Sequence, residues 1–360
     1  MINYGTRLIV DRSNYRSSNI KKGATPTTSD IKEGEVIMEI NKFAYTSNNT
    51  TYAVVGDLVG YWKFFPIPEE GHGIIPCWGF ATVTASKCKG VEEGSSFYGY
   101  YPMGSHLVVT PDKISERGFT DVASHRTELP AIYNQYINTS NDPMYRKDME
   151  AFLAIFRPLF TTSFLIHDQF AQNDFYNAKQ IVLTSASSKT ALGLASCLKD
   201  ESIKTIGLTS ARNVEMVKAS GYFDEVHDYD HISHVKSIPS SYVDFAGNHN
   251  MQLALQKHLG AELQYVCKVG IVHWEDQKGQ EPLPIEGKFF FAPSYAAKRI
   301  KELGFQEFGL RLSKKFDSFI NDAKAWINIK NHKGGSELSE LHLKMTDGDL
   351  DAKDGHIVTF

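Results

Sequence analysis

The sequence predicts an α/β protein: a doubly wound parallel sheet that follows a β-rich domain. Between about residues 150 and 290, short and continuously apolar runs alternate with helical patterns, which is how strands read when helices cover both faces of a parallel sheet. Upstream, the apolar runs are brief and punctuated by Gly, Pro and Asn, the pattern of a compact, barrel-like β domain. At 360 residues the chain also exceeds one ordinary core, and two domains are the natural expectation.

The first domain, residues 1–145, takes its strands from "GEVIMEINKFAY", "FATVTASKC", "SSFYGYYP" and "SHLVVTP". From Asp148, "DMEAFLAIFRPLFTTSFLIHDQF" is apolar on most faces and predicts one or two buried helices. The second domain, residues 146–290, then alternates: strand "QIVLTS", a helix to Lys199, strand "IKTIGLTS", a helix through "NVEMVKAS" and strands "FDEVHDY" and "YVDFAG". A helix through "MQLALQKHL" and a strand at "LQYVCKVG" complete it. Beyond it, Leu312, Phe316, Phe319, Ile320, Ala323 and Ile327 recur at helical spacing and "GHIVTF" closes the chain as a strand. Residues 291–360 are expected to return to the first domain.

Composition narrows the function. The net charge of −4 leaves no basic footprint for nucleic acid or an anionic membrane, so a small-molecule substrate is the expected partner. No apolar run approaches the length of a membrane span, and the N-terminus lacks signal-peptide architecture, which gives a cytoplasmic expectation. The four cysteines, Cys77, Cys88, Cys197 and Cys267, have no ligand spacing, so neither a disulfide framework nor a structural zinc module is expected.

The chemistry-bearing segment is "LTSASSKTA". In an open parallel sheet the first strand-turn-helix holds a pyrophosphate on free helix N-terminal amides, usually through glycines. Here the three small positions are Ala186, Ser188 and Ala191, while Ser187, Ser188 and Thr190 offer hydroxyls and Lys189 a cation suited to phosphate. The plainer alternative is a capped helix start, since Ser and Thr cap helices whatever the ligand. At the end of the next strand, where an NAD-preferring fold carries a carboxylate, the chain reads Thr209, Ser210 and Arg212. Hydroxyls with an Arg suit a 2′-phosphate, so NADP(H) is favoured over NAD(H).

With these segments in place, the order of elements resembles the medium-chain dehydrogenase/reductase superfamily, in its zinc-independent, quinone-oxidoreductase-like branch. The likeness covers nearly the whole chain and is nearest to an uncharacterised bacterial subfamily sharing the "SASSKTA" turn and the "NNxTYA" loop. It implies a GroES-like catalytic domain before a Rossmann-like NADP-binding domain. It also implies reduction of a small carbonyl, quinone or activated alkene, with a non-catalytic NADP(H)-binding or regulatory protein as the alternative. The zinc-dependent branch's ligands are missing, because "TSNNTT" and "PCWGF" stand in their places and a lone Cys77 cannot supply three ligands.

The resemblance sets the loop Ser47–Tyr52 beside the nicotinamide, with Tyr52 as acid or orienting donor and Asn49 as its helper; the alternative is that the asparagines only turn the chain. Gly247 and Gly270, at strand ends, are expected to line the cofactor, and Lys268 and His273 lie near that edge. Tyr98, Tyr100 and Tyr101 are either a substrate wall or packing. "HDYDHISH", from His227 to His234, is the most metal-like run, yet no metal is expected there. Related folds form dimers through an edge strand, and "LQYVCKVGIVHW" is apolar enough to serve in a homodimer.

Overall fold

The computed structural model describes residues 4–270 and 281–360. The chain divides into two compact units, Met1–Phe156 with Asn328–Phe360, and Arg157–Ile327.

The first unit opens with ten strands: β1 (Arg7–Asp11), β2 (Ser18–Lys21), β3 (Val36–Tyr45), β4 (His72–Gly73), β5 (Pro76–Ser86), β6 (Ser96–Pro102), β7 (His106–Val109), β8 (Pro111–Ser115), β9 (Gly118–Asp121) and β10 (Gln135–Asn138). Short helices α1 (Ser47–Val54) and α2 (Gly56–Val59) follow β3. β3 and β5 pair antiparallel over most of their length, with irregular register near Lys42. There a Cβ on Gly79 would lie 2.2 Å from the Lys42 carbonyl oxygen, so only glycine admits the approach. β6 is buried almost throughout, and its Tyr100 meets Phe64 and Tyr52 edge to face and packs tilted against Tyr133. A fully buried Arg126 sits 3.1 Å from Asp121 and donates to the Tyr136 hydroxyl. The tyrosines of "FYGYYP" are therefore core: Tyr98, Tyr100 and Tyr101 are all buried, and Tyr101 donates to the Phe97 carbonyl.

α3 (Glu150–Ala171) is one continuous helix with Pro158 inside it. It corrects the reading that nothing is long enough to span a membrane: by length and composition the Lys147–Ala171 stretch qualifies, and most of its apolar window is buried inside the molecule. Arg157 and Pro158 break the apolar run in the sequence, while the helix continues through both.

The second unit contains β11 (Gln180–Leu183), α4 (Lys189–Leu198), β12 (Lys204–Thr209), α5 (Val214–Ala219), β13 (Glu225–Asp228), β14 (Ser240–Asp244), α6 (His249–Leu259), β15 (Leu263–Lys268), β16 (Lys288–Phe289), α7 (Ala292–Leu303) and α8 (Phe305–Ala323). The sheet order is β13-β12-β11-β14-β15-β16, every pair parallel. Val182, Ile206, Leu208, Tyr242, Leu255 and Val266 form a core cluster of this sheet. Chain order reverses between β11 and β14, so the crevice outside their carboxyl ends is the fold's natural ligand position.

This unit runs on past residue 290 to Ile327, because Phe316 and Phe319 of α8 pack on Phe160 of α3. Only β17 (Asn328–Lys333), α9 (Gly334–Asp347) and β18 (Asp354–Thr359) rejoin the first unit. β18 pairs antiparallel with β3, completing a nine-stranded sheet in the order β17-β18-β3-β5-β6-β10-β9-β8, with β7 also on β3. In the parallel sheet β15 lies between β14 and β16, so the strand expected at a dimer edge is an inner one, and Ile271–Trp274 of that segment fall outside the described residues.

Candidate functional site

The turn after β11 is built by serines rather than glycines. Ser185 takes the left-handed conformation, φ +45°, which L-residues other than Gly rarely adopt. Two bonds hold it: its N–H donates to the Tyr229 hydroxyl at 2.9 Å, and its carbonyl accepts the Ser188 N–H at 2.7 Å. Ser188 is the N-cap of α4, its Oγ accepting the Ala191 N–H at 3.2 Å. Its oxygen thus serves the helix, as the plainer sequence reading had it. α4 is tied to α3 through the Thr190 carbonyl, which accepts the Ser163 hydroxyl at 2.6 Å. Lys189 and Thr190 form the first turn of α4, both half-buried.

Across the sheet, the end of β12 reaches this turn through side chains. Ser187 Oγ accepts from the Thr209 hydroxyl at 3.2 Å and from the Asn213 amide at 3.0 Å, and the same Asn213 nitrogen donates to Ser210 Oγ at 3.1 Å. Arg212 is exposed beside them. No carboxylate lies between Thr209 and Asn213. Asn213 was not among the residues singled out from sequence; its signal was the three-residue spacing from Ser210 at a helix start, where an amide folds back on the preceding turn.

On the other side of the switch point, Asp244 ends β14 fully buried. Its Oδ1 accepts the Thr184 hydroxyl at 2.9 Å, and its carboxylate takes the N–H groups of Ala246 and Gly247. The Phe245 N–H donates to Thr184 Oγ1, which locks the β11 and β14 turns together. Burial pushes the Asp244 carboxyl up, opposed by the hydrogen bonds from Thr184, Gly247 and Ala246. Gly247 is left-handed at φ +70°, and a Cβ on Gly270 would lie 2.3 Å from the Phe245 carbonyl oxygen, so both glycines are required by these turns themselves. Lys268 pairs with Glu286 at 3.0 Å, and His273 lies outside the described residues.

In the first unit, the Ser47–Tyr52 segment is helix rather than loop. Thr46 and Asn49 form a reciprocal capping box at the start of α1, Asn49 Oδ1 accepting the Thr46 N–H at 2.7 Å. The Asn49 amide nitrogen donates to the Pro76 carbonyl at 2.7 Å, so both ends of this buried side chain are engaged. Tyr52 is buried too; its hydroxyl accepts the Trp78 indole N–H at 3.1 Å, and its ring centroid is 4.6 Å from that of Tyr61. Burial pushes its phenol well up, reinforced by Tyr61. Cys77, in β5, is fully buried with its thiol on the Tyr101 carbonyl, and burial raises its pKa well above the usual thiol range.

The "HDYDHISH" run forms a 3-10 turn in which His231 Nδ1 is 2.6 Å from Asp228 and the His231 and His234 rings are 5.0 Å apart. Among the described residues no group of three or more His, Cys, Asp or Glu side chains is arranged to hold a metal.

A two-unit protein with a 3-2-1-4-5-6 parallel sheet and a polar turn at its switch point belongs to the doubly wound, Rossmann-type class. More narrowly, the chain belongs to the family described as Protein of unknown function (DUF2855), whose model matches residues 43–351. No curated protein matches it in sequence. Several solved structures share its fold. Among them are CurA from Vibrio vulnificus in complex with NADPH, with 11% identity, TM-score 0.62 and 100% of this chain and 98% of that chain covered, and the Etr1p/NADP/crotonyl-CoA complex, with 11% identity, TM-score 0.60 and 99% of each chain covered. A mutant enoyl thioester reductase from Candida tropicalis is similar over 100% of both chains, with 10% identity and TM-score 0.56. The fold that the medium-chain reductase resemblance implied is the fold observed.

Proposed function

We propose that the protein is an oxidoreductase that binds NADP(H) and reduces a small carbonyl, quinone or activated alkene by direct hydride transfer, without zinc. The observation that carries this reading is the end of β12: Asn213 bonds both Ser187 and Ser210, the exposed Arg212 lies in the same segment, and no carboxylate is there to hold free ribose hydroxyls. Ser187, Ser210, Lys189 and Arg212 would hold the phosphates, with Ser188 and Thr190 framing the helix start and Gly247 and Gly270 at the facing turns. Bound NADPH supplies the hydride. Tyr52 would hydrogen-bond the substrate oxygen as negative charge develops on it, with Asn49 fixing the helix that carries it. The Cys77 thiol donates to the Tyr101 carbonyl, and among the described residues no three His, Cys, Asp or Glu side chains are grouped to hold a metal, which supports the zinc-free reading. The structural neighbours, among them an NADPH complex, an NADP/crotonyl-CoA complex and an enoyl thioester reductase, support the cofactor and the reaction class. The reading includes a cytoplasmic homodimer, which sedimentation at micromolar concentration tests by showing dimer or only monomer.

Oxidation of NADPH, followed by nicotinamide absorbance with enoyl thioesters, quinones and aldehydes offered in turn, tests the activity. Turnover by the wild type and a loss on the order of 10²- to 10⁴-fold in Tyr52→Phe is expected for a proton-donating phenol. A second reading, a non-catalytic NADP(H)-binding or regulatory protein on the same fold, is favoured by one observation: the Asn49 amide is engaged at both ends and the Tyr52 phenol is buried. NADPH binding without turnover on any of these substrates would select it.

A further inference from the structure

We propose that Asn213 is a positioning residue that sets the polarity of the Ser187 and Ser210 hydroxyls, turning both into outward-facing donors for a phosphomonoester and so making the site selective for NADP(H) over NAD(H). The inference rests on the cofactor reading above and adds to it a residue and a physical cause for selectivity.

A serine hydroxyl carries one donor and two acceptor lone pairs. Ser187 Oγ receives two donors, from Thr209 and from Asn213, so its lone pairs are taken and what it has left to offer is its O–H. Ser210 Oγ receives the Asn213 amide, which fills one of its lone pairs and directs its proton away from that nitrogen. Among the described residues, neither serine is found donating to a protein acceptor. The amide side of Asn213 presents only donors to the two serines, and a donor cannot accept the protons they carry. Two hydroxyl donors, Ser187 on the turn after β11 and Ser210 at the end of β12, with Arg212 next but one to Ser210 in the chain, match a doubly charged phosphate on the adenosine ribose. They match the ribose 2′-hydroxyl less well than a carboxylate would, since only the second lone pair of Ser210 is left to accept its proton. The network also explains how the turn works without glycines. Its side chains do not merely crowd the ligand; they are oriented by a neighbouring strand to serve it.

The test is isosteric. Asn213→Asp preserves volume and remains a good helix-start residue, but its carboxylate accepts from both serines, turns their protons inward and adds a negative charge. Dissociation constants of the 360-residue chain for NADPH and NADH, and for the fragments 2′,5′-ADP and 5′-AMP, would be measured for wild type, Asn213→Asp and Asn213→Ala. Wild type should bind NADPH and 2′,5′-ADP in preference to NADH and 5′-AMP. Asn213→Asp should weaken NADPH and 2′,5′-ADP by about 100-fold while leaving NADH within about threefold, and Asn213→Ala should weaken NADPH by about tenfold, the range expected for hydrogen bonds to a charged group. Equal losses for phosphorylated and unphosphorylated ligands would show Asn213 to be structural only, and unchanged NADPH binding in Asn213→Asp would also overturn the proposal. Wild-type protein that binds neither dinucleotide would instead refute the cofactor reading, and this inference with it.

Discussion

Two polar neighbourhoods, one in each unit, use the same kinds of side chain to opposite ends. Around α1 in the first unit, hydroxyls and amides close on one another: Asn49 caps its own helix and bonds Pro76, the Tyr52 oxygen takes the Trp78 indole, and Tyr61 and Tyr133 pair hydroxyl to hydroxyl at 3.0 Å. Around the β11 turn in the second unit, Ser187 and Ser210 are loaded as acceptors and keep their protons to give away. Polar residues therefore mark a binding site only when their hydrogen-bond capacity is left over in a usable direction, and the second unit meets that condition more clearly than the first.

The largest effect that sharpens the contrast lies in the first unit's core. Arg126→Ala should lower unfolding stability by about 3–5 kcal/mol in urea titration, because it leaves the Asp121 carboxylate buried without its partner, and it should leave NADPH affinity of the remaining folded protein unchanged. A fall in affinity at constant fold would break the separation of roles. In the second unit Lys189→Ala should weaken NADPH binding by about tenfold, measured by calorimetry, with little change in stability. A smaller effect of opposite sign is expected at the strained turn: Ser185→Gly should raise stability by about 1 kcal/mol, since glycine adopts the left-handed conformation without the Cβ penalty. A fall in the urea midpoint would mean that the serine side chain holds the turn.

Protonation gives the mildest test. His106, His125, His167, His332 and His342 all titrate below the usual imidazole value, in each case chiefly because burial disfavours the charged ring. His342 is held neutral between the Tyr45 hydroxyl, which donates to Nδ1, and the Tyr15 carbonyl, which accepts from Nε2. The unfolded chain takes up these protons at higher pH than the folded one. Stability is thus fully present above the ordinary histidine pKa of about 6.5 and is lost as pH falls through the lower folded values. Urea midpoints at pH 7.5 and pH 5.5 would show the decline, less marked in His342→Phe; a midpoint that rises on acidification would contradict it.

Much of the fold was readable because the second unit's strands are buried on both faces and so appear as unbroken apolar runs; β11, β12 and β15 fall within the segments that predicted them, and β14 begins two residues before its segment, at Ser240. The polar β17, "NIKNHK", left no such trace, because it ends a sheet and its residues are largely exposed. α1 read as a loop because Ser, Asn and Thr favour turns, and only its tertiary setting, with Asn49 anchored to Pro76, makes the helix. At the site, the Ser188 cap was legible from local sequence. The Asn213 bridge was not, since it joins residues 26 apart that only the β11–β12 pairing brings together.

The central claim is that the serine-built turn of the second unit selects a phosphorylated dinucleotide. Calorimetric titration of the 360-residue chain with NADPH and, separately, NADH at moderate salt tests it most directly. The account predicts NADPH binding tighter than NADH by about tenfold or more, as expected for charge-assisted hydrogen bonds to one phosphate; equal affinities, or no binding of either, would contradict it.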